Sequence, residues 1–175
     1  ICAEPQSATS EELAFAKQGL MYDLSAYPVK YLESPGENLL ARASHGVDTL
    51  AIRDDVTIIS FAHSALWLSP GSLAAAIDWV RRKHAFGLVP DTRVPGLHPA
   101  PDYLTVRGLE NYAERLSATE NLPKPPHDFQ PMVFACPAGL LRNAHSLQSM
   151  AEFIPGTFVH DFSGYHQSDR SEMLR

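Results

Sequence analysis

The feature that most constrains this chain is a run of 22 residues, Val56 to Ile77, without a formal charge. About 20 apolar residues are enough to span a bilayer as a helix. This run, however, holds His63, Thr57, four serines and a Pro70-Gly71 pair near its middle. Proline fixes its own φ and brings no backbone donor, and glycine accepts conformations that other residues resist, so the pair marks a turn. The run reads as two water-soluble elements joined at that turn, and no membrane span is expected. Before the turn, Val56 to Phe61 (VTIISF) is β-branched and aromatic, which predicts a strand, and Ala65 to Leu68 (ALWL) predicts a second, shorter one. After it, residues 72–86 (SLAAAIDWVRRKHAF) predict a helix, capped by Ser69-Pro70-Gly71-Ser72, with Leu73, Ala76, Ile77 and Val80 at helical spacing. Gly87 is expected to end it, and Arg81-Arg82-Lys83-His84 suits the negative end of a helix dipole.

The same logic punctuates the rest of the chain. Residues 1–10 are small and polar and predict a loose lead-in, with no charged-then-apolar leader pattern. Ser10 followed by two glutamates predicts a helix over 11–20. Asn38 to Ser44 fits a strand or a helix start, and Asp48 to Arg53 a short helix. Residues 87–101 contain four prolines and read as a loop, as do residues 123–131. A second clear helix is expected over 106–119, a strand over Met132 to Cys136, and helical or irregular chain from Leu140 to Met150. Two strand pieces are expected around Pro155-Gly156 and a frayed tail over 163–175. Short strands that do not alternate with helices favour one α+β domain over residues 1–175, a split antiparallel sheet with flanking helices, over a doubly wound parallel sheet.

Charge and composition narrow the function. The 175 residues carry a net charge of −6. A surface built to neutralise phosphates should be basic, so a nucleic-acid partner is not expected. Cys2 and Cys136 match no metal or redox spacing, and unpaired thiols are favoured over a disulfide between them. Eight histidines include no HExxH pair and none at zinc spacing with a cysteine, so no metal is expected. GxSxG, GxGxxG and GxxxxGK are all missing.

Three segments in order carry the strongest pattern: Leu39-Leu40-Ala41-Arg42-Ala43-Ser44-His45-Gly46, then Ala65-Leu66-Trp67-Leu68-Ser69-Pro70 before the alanine-rich helix, then Ala151-Glu152-Phe153-Ile154-Pro155-Gly156-Thr157-Phe158. Together they resemble the ADP-ribosyltransferase superfamily, in which an arginine- or histidine-bearing strand opens the NAD site. A serine-ending strand walls that site, and a glutamate before a Pro-Gly-Thr turn supplies its carboxylate. The resemblance implies an ADP-ribosyltransferase-like fold and NAD as the cosubstrate. Arg42, His45, Trp67 and Ser69 would bind it and Glu152 would be the catalytic residue. The expected activity is a glycosyltransferase reaction, mono-ADP-ribosyl transfer to a protein acceptor, or NAD hydrolysis. The implied setting is a bacterial toxin or effector secreted into a host or target cell and acting in its cytosol. Such a carboxylate would stabilise the oxocarbenium character that develops as nicotinamide leaves. Met150 stands where an acid two places before the glutamate is usual. That turns the expectation from arginine-directed transfer towards hydrolysis or another acceptor.

Two other readings stay open. Cys136 and His145 could form a thiol–imidazole pair for a deamidase or protease. Alternatively, the chain is a non-catalytic protein-interaction domain that uses its proline-rich loops as the contact surface.

Overall fold

A computed structural model describes residues 2–3, 30, 32–34, 38–63, 66–94, 122–126, 128–142, 147 and 150–161. Strand β1 (Cys2–Ala3) pairs in parallel with β2 (Leu32–Glu33). The lead-in is thus not loose at Cys2 and Ala3, because a strand partner from residues 32–33 takes up their backbone. Helix α1 (Leu39–Thr49) follows, and then strands β3 (Thr57–Phe61) and β4 (Leu66–Leu68). Helix α2 (Ser72–Lys83), β5 (Gly87–Leu88), β6 (Val133–Pro137), the short helix α3 (Ala138–Leu141), β7 (Glu152–Phe153) and β8 (Val159–Asp161) complete the described elements. No helix among the described residues is long and apolar enough to cross a membrane. The helices expected over 11–20 and 106–119 and the tail 163–175 lie outside the described residues.

The fold is mixed α+β. Its main sheet has the order β3-β6-β5-β7, and β4-β8 forms a separate two-stranded ribbon. The main sheet is mixed and not the antiparallel one expected: β7 runs parallel to β5. The parallel pair arises because β6 and β7 flank β5 on opposite sides and only β6 runs against it. The ribbon is stitched to the sheet where the Val159 N–H donates to the Pro90 carbonyl, 3.0 Å away.

Alternation along the strands builds two cores, one on each face. Phe134 and Cys136 of β6, with Leu88 and Phe153, pack in one cluster with Val47, Leu39, Leu40 and Ala43 of α1. Val133 and Ala135, with Val89 and Ile154, pack in the other with Ala76, Trp79 and Val80 of α2. α1 and α2 therefore cover opposite faces of the main sheet.

Several local expectations change. Of the two readings of Asn38 to Ser44 the helix start holds, and the short helix expected over Asp48 to Arg53 does not form separately: one helix runs from Leu39 and ends at Thr49. The Asn38 side chain caps it, accepting from the Ala41 N–H at 2.9 Å. α2 stops at Lys83, because His84 adopts the left-handed conformation (φ 49°) and its N–H returns to the Val80 carbonyl. Gly87, expected as the stop, instead opens β5, and residues 87–91 are buried rather than a surface loop. The buried face of α2 is Ser72, Ala76, Trp79 and Val80, while Leu73 is 48% exposed.

Candidate functional site

Glu152 opens β7 opposite Gly87, and its N–H donates to the Phe86 carbonyl at 3.2 Å. Phe153 turns into the α1-side core, so Glu152 turns to the α2 side. There its carboxylate lies 3.7 Å from the Lys83 ammonium, with the two side chains 55% and 57% exposed. A groove of about 350 Å³ surrounds the pair, walled by Trp79 and Lys83 of α2, by Pro155, and by Pro123 and Lys124 of the proline-rich segment. It falls at the lower end of the size range for small-ligand sites. Trp79, Leu122, Phe153 and Pro155 make up its apolar lining, and its chargeable lining residues are Lys83, Lys124 and Glu152.

Ser69 is committed elsewhere. It is 5% exposed, and its hydroxyl sits 2.5 Å from the Ser72 hydroxyl and accepts from the Phe158 N–H at 3.1 Å. Its own N–H donates to the Phe158 carbonyl. Ser69 thus fastens the end of β4 to the turn before β8, and the Thr157 hydroxyl closes that turn on the Ile154 carbonyl at 2.7 Å. Trp67, half-buried on β4, is the register partner of His160. Neither Ser69 nor Trp67 lines the groove that holds Glu152.

Arg42 and His45 lie on α1, a helix where the resemblance implies a strand, because the Asn38 cap starts helical hydrogen bonding at Leu39. The His45 Nε2 lies 3.4 Å from the Thr49 hydroxyl one turn along. Since α1 covers the face opposite α2, these two residues and Glu152 stand on opposite sides of the main sheet. The three segments therefore do not converge on one crevice. Glu152 stands in the groove without the other four.

Cys136 is a free cysteine with no exposed surface, and burial pushes its thiol up to about 12. A nucleophilic thiolate needs the opposite shift, so Cys136 is a core residue. His145 lies outside the described residues.

Two features of the structure carry little signal in the sequence. The first is the groove's cationic walls: Lys83 reads as a helix-dipole residue, and Lys124 stands among prolines. The second is Asp91, 2% exposed, whose carboxylate is forked by Arg93 at 2.6–3.2 Å. Arg93 also donates to the Gln130 carbonyl at 2.8 Å and stacks 5.1 Å over Phe129. The Asp-x-Arg spacing is the only sequence signal for that pair. No group of three or more metal-ligating side chains occurs among the described residues. No family model, curated protein or solved structure matches this chain.

Proposed function

We propose that the chain is a non-catalytic interaction domain and that residues 122–131 form its contact surface. The observation that carries this is how that segment is held. It forms no strand or helix among its described residues, yet Leu122 and Phe129 pack against the α1-side core. Phe129 meets Phe153 edge-on at 5.4 Å, and Arg93 grips the Gln130 carbonyl. Pro123, Lys124 and Pro126 stay exposed between these anchors, and the segment walls a groove on each side. Proline-rich chain fixed this way has already lost much of its freedom, so little ordering cost remains on binding. The test is a photo-crosslinking residue at Pro126, with the same residue at Leu73 as the control. A discrete adduct at 126 and none at 73 is expected. Equal labelling at both would remove the segment from this role.

A second reading, NAD hydrolysis or ADP-ribosyl transfer to a protein acceptor by a toxin- or effector-type enzyme of ADP-ribosyltransferase-like fold, draws on one observation. The Glu152 carboxylate is exposed in a groove beside two ammonium groups that could meet phosphates. It forgoes Arg42, His45, Trp67 and Ser69 as ligands. NAD consumption by the purified chain, abolished in Glu152→Gln, would establish it over the interaction domain.

A further inference from the structure

We infer that the groove between α2, β7 and the proline-rich segment docks a short acidic segment of a partner protein. This deepens the interaction-domain reading and rests on it. Trp79, Phe153 and Pro155 are an apolar part of its lining that suits one apolar side chain, and Lys83 of α2 and Lys124 of the proline-rich segment line it as well. Among the described residues the one carboxylate in the groove is Glu152. Its 3.7 Å approach to Lys83 is well beyond the 2.7–2.9 Å of a charge-assisted hydrogen bond. Both partners are more than half exposed, so the pair is weak and an incoming carboxylate can replace it. Lys124 has no carboxylate within ion-pair distance among the described residues. The chain as a whole is acidic, so this is a cationic spot in a repelling field. It favours a short acidic stretch over a broadly acidic surface.

Glu152 gives the inference a distinctive sign. As the resident counter-ion it competes with the ligand, so Glu152→Gln should tighten binding, whereas a residue that grips ligand or substrate would weaken it on loss. The experiment is fluorescence polarisation of a labelled peptide of alternating glutamates with leucine and phenylalanine, titrated with the full chain. The same peptide with lysines for the glutamates serves as control, and inorganic phosphate and ATP are added as competitors. Saturable binding of the acidic peptide is expected, and it should weaken as NaCl rises from about 20 to about 200 mM. Lys83→Glu and Lys124→Glu should each weaken it about three- to tenfold, and Glu152→Gln should strengthen it about two- to fivefold. Arg53→Glu, whose parent arginine pairs with Asp55 outside the groove, should change nothing, and thermal melts confirm that each variant folds. No saturable binding, equal binding of the lysine peptide, affinity unmoved by the two lysine reversals, or looser binding in Glu152→Gln overturns the inference. So does binding of ATP or phosphate without the peptide, which would make the groove a small-anion site. If the peptide fails while the crosslinker at 126 still gives its adduct, the acidic segment falls and the interaction domain stands. NAD turnover lost in Glu152→Gln would bring down both.

Discussion

Gly87→Ala tests the packing that positions Glu152. A Cβ at Gly87 would lie 2.6 Å from Ile154 Cγ1, 2.6 Å from Trp79 Cζ3 and 2.8 Å from Ile154 Cδ1. Real Cβ atoms essentially never come so close. Ile154 has no exposed surface and Trp79 is 5% exposed, so neither side chain can swing into solvent to relieve the clash. Overpacking of this kind costs about 1–3 kcal/mol. The methyl also stiffens the unfolded chain, which offsets about 0.4–1 kcal/mol. With the middle of each range the expected net loss is about 1.3 kcal/mol, a fall in Tm of about 3–5 °C for a chain of this size. Urea unfolding and a circular-dichroism melt measure it. Ile154→Val removes Cδ1, one of the three clashing atoms, so Gly87→Ala should cost less in that background than in wild type. The groove should respond too, because Gly87 is the register partner of Glu152 and Trp79 lines the groove. A Gly87→Ala variant as stable as wild type, or strictly additive with Ile154→Val, would refute the close contact of β5 with α2 and residue 154.

Three further outcomes are expected. Arg93→Met leaves the buried Asp91 carboxylate the residue-93 N–H but takes away its counter-ion and should cost about 2–3 kcal/mol, below the full cost of an orphaned buried charge because the guanidinium is half in water and that N–H remains; adding Asp91→Asn should recover part of it in urea unfolding. Burial holds His160 below its ordinary 6.5 against the opposing pull of Asp161 and Asp91, so the unfolded chain takes up the proton first. The contribution of His160 is complete above pH 6.5 and is lost as pH falls through it, by at most about 1.4 kcal/mol per pH unit, and the urea midpoint of His160→Gln should fall less steeply over that range. Cys136 should resist iodoacetamide in the folded chain and react only after denaturation, read by mass spectrometry; rapid labelling of the native protein would contradict its burial.

The elements that could be read from sequence are those in which local chemistry and tertiary placement agree. VTIISF and MVFAC are mostly β-branched or apolar and became β3 and β6, the longest antiparallel pair of the main sheet. Pro155-Gly156 punctuated β7 and β8 as expected, and Gly156 takes the positive φ of 71° that such a turn requires. What could not be read was decided by packing. Trp79 outweighs Leu73 on α2 because it faces the sheet, while the three consecutive alanines of this 12-residue helix offered no stronger sign of which side that would be. Gly87 looks like a helix stop in sequence, but its missing side chain serves the close approach of β5 to Trp79 and Ile154. The stop fell to His84, whose left-handed φ no local pattern announced.

The site failed to assemble for a reason of parity. Order along the chain does not fix which face of a sheet a residue serves, since successive strand residues point to opposite sides. In β7 the pairing Gly87↔Glu152 and Leu88↔Phe153 sends the aromatic ring into the α1-side core and the carboxylate to α2. Shifting β7 by one residue would put the carboxylate on the side of α1, where Arg42 and His45 reside. That register would also draw Phe153 out of its edge-on contact with Phe129 and turn Ile154, now without exposed surface, away from Trp79. Burying Phe153 and Ile154 on opposite faces is worth several kcal/mol at about 25 cal/mol per Å² of apolar surface. No exposed carboxylate–cation pair offers a comparable gain. The hydrophobic pair therefore sets the register, and the position of Glu152 beside Lys83 and Lys124 follows from it.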